Sequence, residues 1–318
     1  MSGDVLFIKT SSLGDVIHHM PALTEARARL PNHRFAWVVE EAFAPLVRLH
    51  PAASAVISVA SRRWRKSWPG PSLWREVAGF SQVLRSQRYD AVVDTQGLIR
   101  SAMIARIARG CRHGYDSNSI RERAASLLYD VKHGVSRDQH AIARNRILTG
   151  LSLGYAPEGP PDFGLDRAAL SDRSPERYAV LLHATARREK EWPVDCWIEL
   201  GRSLGARGMR LVLPFGNARE SERSRLIATA LPEASVPEIQ PLDSVARMIA
   251  GASLVVGVDT GLLHLASALS VPLVAIFVGS EPALTAPVGQ GPMAIIGGKG
   301  MTPAAAEAIA AVDRLSVQ

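Results

Sequence analysis

Cysteines and long apolar stretches are scarce in this sequence of 318 residues. Cys111 and Cys196 cannot form a disulfide framework, and neither belongs to a CxxC pair, so we predict a reducing compartment and no metal site. No segment approaches about 18 consecutive apolar residues, and the first residues lack the basic region and apolar core of a signal peptide. We therefore expect a cytoplasmic protein without a membrane-spanning helix.

Three signatures of nucleotide-binding enzymes are also missing. There is no GxGxxG dinucleotide fingerprint and no GxxxxGKS/T phosphate loop, which argues against a dehydrogenase and a P-loop NTPase. There is no DxD triplet, with which one class of transferases holds a metal ion and a nucleotide. A bound diphosphate would then be neutralised by lysine and by helix N-termini, so we predict a site that needs neither metal nor cofactor.

Positive charge is in excess, with a formal net charge of +7 at pH 7. This excess favours an anionic partner, which could be a nucleic acid, a nucleotide or an acidic lipid surface. A basic segment holds Trp64 and Trp68 among four cations, Arg62, Arg63, Arg65 and Lys66. Cations suit phosphate or carboxylate and indoles suit a lipid interface, so an anionic amphiphile is favoured. Nucleic acid binding and a simple solvated basic face are the alternatives.

Apolar strand candidates alternate with helix-length segments along the whole chain. This alternation predicts parallel sheets that are covered by helices on both faces. The candidates in the first half are 5–8, 35–39, 55–59 and 91–94, and those in the second half are 178–183, 209–214, 254–258 and 272–278. The fold class is therefore predicted to be α/β with two Rossmann-like domains.

Prolines and glycines between 154 and 177 predict the connection between these domains. We place an N-terminal Rossmann-like domain at 1–160, a linker at 161–177 and a C-terminal Rossmann-like domain at 178–318. A last helix is predicted within 301–317, after Pro303, and it is a candidate to pack back on either domain, including the N-terminal one.

The first strand is followed by a polar turn and an acid. Gly14 permits a tight turn, Asp15 follows it, and a helical pattern begins after Asp15. Open α/β sheets bind ligands at the carboxyl ends of their strands, so Asp15 is a candidate active-site acid. The alternative is that Asp15 only stabilises the N-terminus of its helix.

The second half contains three similar turns, each of which suits part of a nucleotide. After 254–258, the Thr260 hydroxyl and the free amides of a helix start suit a pyrophosphate, unless Asp259 merely caps that helix. After 178–183, Thr185 and Lys190 are placed to hold phosphate oxygens. After 209–214, the carboxylate of Glu220 could accept hydrogen bonds from a ribose or base, which is the weakest of the three signals.

Five short segments, in order along nearly the whole chain, are similar to the lipopolysaccharide heptosyltransferases of glycosyltransferase family 9, and among these to the type I enzymes. They are 9–15, 62–66, 94–98, 183–185 with Lys190 and 192–193, and 258–262 with His264. The resemblance implies a GT-B fold, in which two Rossmann-like domains face a central cleft. It also implies an inverting, metal-independent glycosyltransferase.

The resemblance further implies the substrates and the location. The donor would be ADP-L-glycero-β-D-manno-heptose and the acceptor Kdo2-lipid A, which receives the first heptose of the lipopolysaccharide inner core. The protein would be a monomer in peripheral contact with the anionic cytoplasmic face of the inner membrane, and it would not bind nucleic acid. The alternatives are a heptosyltransferase for a later core acceptor and a non-catalytic nucleotide- or nucleic-acid-binding α/β protein.

Residue roles follow from the same resemblance. Asp15 would be the general base that takes a proton from the acceptor hydroxyl. The predicted donor-binding positions are Thr185, Ala186, Lys190, Glu220, Asp259, Thr260, Gly261 and His264, with Ala186 at a position where the family commonly has threonine. The predicted acceptor-binding residues are Lys9, Arg62, Arg63, Arg65, Lys66, Arg121, His140 and Arg144.

Overall fold

A computed structural model describes residues 3–68, 70–171, 176–185, 187–279, 281–282 and 286–316. The chain divides after Gly164 into two compact units. Each unit contains one six-stranded sheet, and every strand pair in both sheets is parallel. The prediction of an α/β fold with two Rossmann-like halves is therefore confirmed.

The N-terminal unit has its sheet in the order β3-β2-β1-β4-β5-β6. Its strands are β1 (Asp4–Ile8), β2 (Arg34–Glu40), β3 (Ala55–Val59), β4 (Arg88–Asp94), β5 (Arg109–Tyr115) and β6 (Val131–His133). Its helices are α1 (Leu13–Arg29), α2 (Ala44–Val47), α3 (Ser61–Trp64), α4 (Pro71–Arg85), α5 (Ile99–Ile107) and α6 (Ala141–Leu153), with 3-10 turns at Glu41–Phe43 and Arg123–Leu128.

The C-terminal unit repeats this plan with the order β12-β11-β10-β7-β8-β9. Its strands are β7 (Tyr178–Leu182), β8 (Arg210–Val212), β9 (Ala234–Ser235), β10 (Leu254–Val258), β11 (Leu273–Phe277) and β12 (Met293–Gly297). Its helices are α7 (Arg167–Leu170), α8 (Val194–Ala206), α9 (Ala218–Thr229), α10 (Leu242–Gly251), α11 (Gly261–Ala268) and α12 (Ala305–Ser316), with a 3-10 turn at Arg188–Lys190.

The strand orders determine where each unit can bind a ligand. In the N-terminal sheet the order reverses between β1 and β4, and in the C-terminal sheet it reverses between β7 and β10. A crevice opens at the carboxyl ends of two such neighbouring strands, because their following segments leave to opposite sides. The residues that follow β1, β4, β7 and β10 are therefore the ones positioned to build sites.

The connection and the last helix both contribute to the C-terminal unit. Part of the proposed linker belongs to this unit, because Arg167 of α7 donates hydrogen bonds to the carbonyl oxygens of Ala250 (2.9 Å) and Ala252 (2.8 Å). The last helix, α12, packs on α8, β11 and β12, where Ala308 and Val312 are core residues. Packing of this helix on the N-terminal domain stays a prediction.

Among the described residues, no helix combines the length and the hydropathy that crossing a bilayer would require.

Candidate functional site

Asp15 lies in the first turn of α1, directly after the loop that leaves β1. The helix begins at Leu13 with Ser12 as its N-cap, slightly earlier than the sequence pattern predicts. Oδ2 of Asp15 accepts hydrogen bonds from the backbone N–H of Ser12 (2.8 Å) and from its hydroxyl (3.0 Å). Oδ1 has no hydrogen-bond partner among the described residues. Asp15 therefore stabilises the helix start with one oxygen and presents the other.

Gln96 fixes the loop that precedes Asp15. Its Oε1 accepts the backbone N–H groups of Thr10 and Ser11, both at 3.1 Å. Gln96 is itself held after β4 because its N–H donates to the buried carboxylate of Asp94 at 2.8 Å. The sequence analysis gave Gln96 no role, although the 94–98 segment was among those that carry the resemblance. Its position at the switch point between β1 and β4 is the signal that could have identified it.

Lys9 is buried beside this loop. Only 5% of its surface is exposed, and Nζ donates to the carbonyl oxygen of Thr95 at 2.9 Å and lies 3.5 Å from Oδ1 of Asn145. Burial lowers the pKa of Lys9, and the negative charges of Asp15 and Asp94 oppose that shift. Lys9 is thus placed to act on the Asp15 carboxylate through its charge, while two of its three N–H donors are directed at protein oxygens.

Two predicted acceptor-binding arginines lie in the same electrostatic environment. The charges of Arg144 and Arg121 are close enough to Lys9 to lower its pKa further, after burial. Arg144 is half-buried, with its guanidinium 4.8 Å from the centre of the Tyr115 ring and one nitrogen 2.6 Å from the carbonyl oxygen of Ser119. The structure therefore brings Asp15, Lys9, Arg121 and Arg144 together.

His140 joins this cluster through helix α1. Nδ1 of His140 accepts the N–H of Ile142 at 3.2 Å and caps α6. Its ring lies edge-on to that of His18, with the centroids 5.2 Å apart. His18 is one turn after Asp15 on α1. His140 therefore lies at the border of the cluster that contains Asp15, Lys9, Arg121 and Arg144.

The basic segment divides into paired and unpaired cations. Glu40 holds its start by accepting the Ser61 hydroxyl (2.8 Å) and the Arg62 N–H (2.7 Å). Arg63 forms ion pairs with Glu41 (3.1 Å) and Glu76 (2.8 Å), and these hydrogen bonds raise its pKa.

The other three cations of this segment are exposed. The Arg62 guanidinium lies 5.0 Å from the centre of the Phe43 ring. Arg65 and Lys66 have no side-chain hydrogen bond or ion pair among the described residues. These last two are therefore the cations most available to an anion, whereas the charge of Arg63 is already matched by two carboxylates.

The predicted donor residues meet at the switch point of the C-terminal sheet. Nζ of Lys190 donates to Oδ2 of Asp259 at 2.5 Å, and the two side chains are 20% and 11% exposed. The Thr185 hydroxyl donates to the carbonyl oxygen of Asp259 at 3.1 Å. Residues that follow β7 and β10 are thus joined by direct contacts, which the sequence analysis did not predict.

Helix α11 begins beside this pair. Thr260 is its N-cap and Gly261 its first residue, so the first amides of α11 lie next to the Lys190–Asp259 pair. Such amides, with the helix dipole, favour an anion. His264 is only 8% exposed and lies one turn further along the helix. Ala186, the remaining predicted donor position, lies outside the described residues.

Glu220 stabilises the turn that precedes α9. Its carboxylate accepts the N–H of Gly216 (2.8 Å) and the side-chain amide of Asn217 (2.7 Å). It borders a pocket of about 320 Å³ whose other polar lining residues are Arg188, Glu191, Arg219, Glu222 and Arg223.

Arg219, which the sequence analysis did not single out, connects this pocket to the Lys190–Asp259 pair. It donates to the carbonyl oxygen of Thr185 at 3.1 Å and pairs with Glu191 at 2.7 Å. No metal-binding group of three or more His, Cys, Asp or Glu side chains occurs in the part of the chain that the structure describes.

Comparison with known proteins gives consistent results. The family model of glycosyltransferase family 9 (heptosyltransferase) matches residues 77–308. Lipopolysaccharide heptosyltransferase 1 of Escherichia coli strain K12 is 42% identical over 293 residues, which cover 91% of this chain and 92% of that protein.

Two solved structures are similar over nearly the whole chain. The E. coli heptosyltransferase WaaC with ADP has a TM-score of 0.92 at 39% identity and covers 98% of this chain and 99% of that one. The same enzyme with ADP-2-deoxy-2-fluoro heptose has a TM-score of 0.86 at 39% identity, with 99% of each chain covered.

Proposed function

The chain belongs to glycosyltransferase family 9, the heptosyltransferases, and from this we propose that it joins heptose to Kdo2-lipid A by a single, metal-independent displacement. It is a heptosyltransferase of the lipopolysaccharide inner core. The donor is an ADP-activated heptose, ADP-L-glycero-β-D-manno-heptose in our proposal. A later core acceptor is not favoured, because the type 1 enzyme of E. coli is similar over 91% of this chain.

We assign the general base to Asp15, and the observation that carries this assignment is its divided carboxylate. Oδ2 is held by Ser12, while Oδ1 has no partner among the described residues. Oδ1 would accept the proton of the acceptor hydroxyl as that oxygen forms its bond to the anomeric carbon. The bond from the anomeric carbon to ADP breaks at the same time, and ADP leaves with the electron pair. The β-linked donor then gives an α-linked product.

The leaving ADP would be stabilised by the C-terminal unit. The ammonium of Lys190, the hydroxyls of Thr185 and Thr260 and the first amides of α11, including that of Gly261, would meet its phosphates. Asp259 would orient Lys190 and, with His264, the donor sugar. The pocket beside Glu220 would receive the adenosine. Ala186 would contribute through its backbone, because it has no hydroxyl.

The acceptor would be held by the N-terminal unit. Arg121 and Arg144, whose charges act on Lys9 as that of Asp15 does, would meet the carboxylates of Kdo together with His140. The buried charge of Lys9 would act on the Asp15 carboxylate. Arg62, Arg65 and Lys66 would meet the lipid A phosphates, and Arg63 would fix the shape of the basic segment through its two carboxylate partners.

We propose that the protein is a monomer in the cytoplasm and contacts the anionic inner-membrane surface peripherally, without binding nucleic acid. The support is local: Trp68 is 89% exposed and Trp74 65% exposed, and both are close in sequence to Arg65 and Lys66. Indoles and cations presented together suit a lipid–water interface.

The test is ADP release from ADP-heptose with and without Kdo2-lipid A, in EDTA, for wild type and Asp15→Asn. Asparagine keeps an oxygen that can accept from Ser12 but cannot take up the proton. We expect acceptor-dependent release that survives EDTA and falls by about 10²-fold or more in the variant.

Unchanged ADP affinity and thermal unfolding in Asp15→Asn would show that only the base was lost. Full activity in Asp15→Asn would refute the base assignment. Loss of wild-type release in EDTA that added Mg²⁺ restores would refute metal independence.

A further inference from the structure

An apolar pocket of about 460 Å³ lies in the N-terminal unit between α3, α4 and α5. Its lining includes Trp64 and Phe80, together with four side chains of α5, Ile99, Met103, Ile104 and Ile107. The volume is in the range of small-molecule sites, at about 300–1,000 Å³. The catalytic scheme above leaves this pocket unused.

The pocket begins at the end of the N-terminal sheet that is nearest to Asp15, where the strands end. Ser61 follows β3 and Ile99 follows β4, so this end of the pocket lies at the carboxyl ends of the strands. From there, one stripe of α5 continues to Ile107, a distance of about 12 Å along the helix. The pocket is therefore elongated and leads away from the predicted acceptor site.

Cations outnumber carboxylates around this pocket, where Glu122 lines the wall and its carboxylate accepts the N–H of Ile99 at 2.7 Å. Trp64 is the last residue of α3, and the unpaired cations Arg65 and Lys66 follow it directly. Arg100 lines the pocket itself, and its Nε is buried without a hydrogen-bond partner among the described residues. The positive charge of Arg100 therefore lies in the wall of the pocket, close to the cations of the basic segment.

We propose that this pocket holds an acyl chain of the anionic glycolipid acceptor, with Arg100 donating to an oxygen of its head group. The inference depends on the proposed function and adds a lipid-binding subsite to it. An elongated apolar pocket accommodates an alkyl chain, and the cations at its rim match the negative charge that such a lipid carries at its polar end. Ile99 and Met103, 43% and 59% exposed, form an apolar rim that a lipid would cover.

The first experiment compares two acceptors that share the same sugars and phosphates, Kdo2-lipid A and its fully deacylated form, on wild type and Met103→Glu. A carboxylate at the rim disfavours an alkyl chain there. We expect KM for the acylated acceptor to rise about tenfold, equivalent to about 1.4 kcal/mol, with no change for the deacylated acceptor. Leu151→Glu, on an exposed apolar residue of α6, is the matched control and should change neither.

The second experiment detects the chain directly in the unmodified protein. Kdo2-lipid A with brominated acyl chains should quench the fluorescence of Trp64, and Trp64→Phe should lose this component of the quenching. Vesicles of brominated phosphatidylglycerol without Kdo should not reproduce it at equal lipid concentration. If those vesicles produce equal quenching that Trp64→Phe removes, the proposal is overturned in favour of a bilayer lipid.

The two hypotheses fail in different ways. If neither acceptor supports ADP release, the proposed function is wrong. If both support it, but Met103→Glu changes their KM values equally or not at all, the proposed function stands and the acyl-chain subsite is wrong.

Discussion

Lys190 and Asp259 form a short ion pair, with Nζ and Oδ2 2.5 Å apart, although the two residues are 69 positions apart in the chain. The lysine comes from the segment after β7, and the aspartate is the first residue after β10, in the short connection to α11. Both are largely withdrawn from solvent, at 20% and 11% exposure. The pair places one positive charge beside the amides of α11 before any nucleotide is present.

This relationship predicts the behaviour of a double-mutant cycle. Lys190→Met should raise the Kd for ADP about tenfold or more, because it removes a charge-assisted partner of the diphosphate and no longer offsets the negative charge of Asp259 beside it. Adding Asp259→Asn should recover part of that loss, because it removes the repulsion. Calorimetric titration of ADP into the four proteins measures the coupling.

Strictly additive effects in this cycle would mean that the two residues do not act together on the nucleotide. Arg202→Gln, on the solvent-exposed side of α8, is a suitable control and should leave the Kd unchanged.

Gly279 controls the position of the Lys190 turn. A Cβ atom at this position would clash with the carbonyl oxygen of Glu189, the residue before Lys190. We therefore expect Gly279→Ala to displace the turn and raise the Kd for ADP by about five- to 150-fold, as overpacking costs about 1–3 kcal/mol. Gly205→Ala is the matched control, because its nearest new contact is an ordinary 3.4 Å. If the two variants bind ADP equally, the turn does not depend on Gly279.

The pairing of Arg63 predicts unequal roles within the basic segment. The double substitution of Arg65 and Lys66 by glutamine should raise KM for Kdo2-lipid A about tenfold at low ionic strength, and less as salt screens the charges. Arg63→Gln should instead lower the thermal stability of the segment, because it releases Glu41 and Glu76. Arg88→Gln, an exposed arginine at the opposite end of β4, controls for net charge. Salt-independent KM values would contradict a direct role for Arg65 and Lys66.

Buried histidines predict the pH dependence of stability. Burial lowers the pKa of His183 and of His50 to about 4 each, so both are neutral in the folded protein. Unfolded histidine takes up a proton near pH 6.5, and the folded state does not follow until about pH 4. The stability that they contribute is therefore complete above about pH 6.5 and is lost as the pH falls toward 4.

Urea unfolding at pH 7 and pH 5 measures this effect. Each histidine should reduce the free energy of unfolding by about 1.4 kcal/mol per pH unit within that window. His183→Gln should weaken the pH dependence, whatever its effect at pH 7. A variant with the same slope as wild type would show that His183 does not contribute.

The strands that the sequence predicted each contain a run of apolar residues, even where a polar residue stands within that run or beside it. β3 and β10 have the predicted bounds, and β1, β2, β4, β7, β8 and β11 differ from prediction by a few residues. The strands it missed are β5, β6, β9 and β12, and the composition of β12, which is largely apolar, does not explain why it was missed. β5 contains two glycines and two arginines, and β9 has only two residues, so hydrogen bonds to the neighbouring strand define them more than their own residues do.

For the candidate site, too, the sequence predicted only what a local pattern reveals. Local pattern alone indicated that Asp15, Thr185, Lys190 and Asp259 follow strands, because an apolar run, a turn and a helical pattern are visible within a few residues. The resemblance to a family supplied heptose, ADP and Kdo, which no residue spacing could name.

The sequence by itself determined the alternation of strands and helices and the turns that carry the chemistry, because those depend on neighbours along the chain. Only the tertiary structure decided the partners of each side chain. It joined Lys190 to Asp259 and directed the ammonium of Lys9 at a backbone carbonyl. It also paired Arg63 with two carboxylates and aligned the apolar stripe of α5 with Trp64 and Phe80. These contacts connect residues far apart in sequence, and strand order, which composition does not encode locally, brings them together.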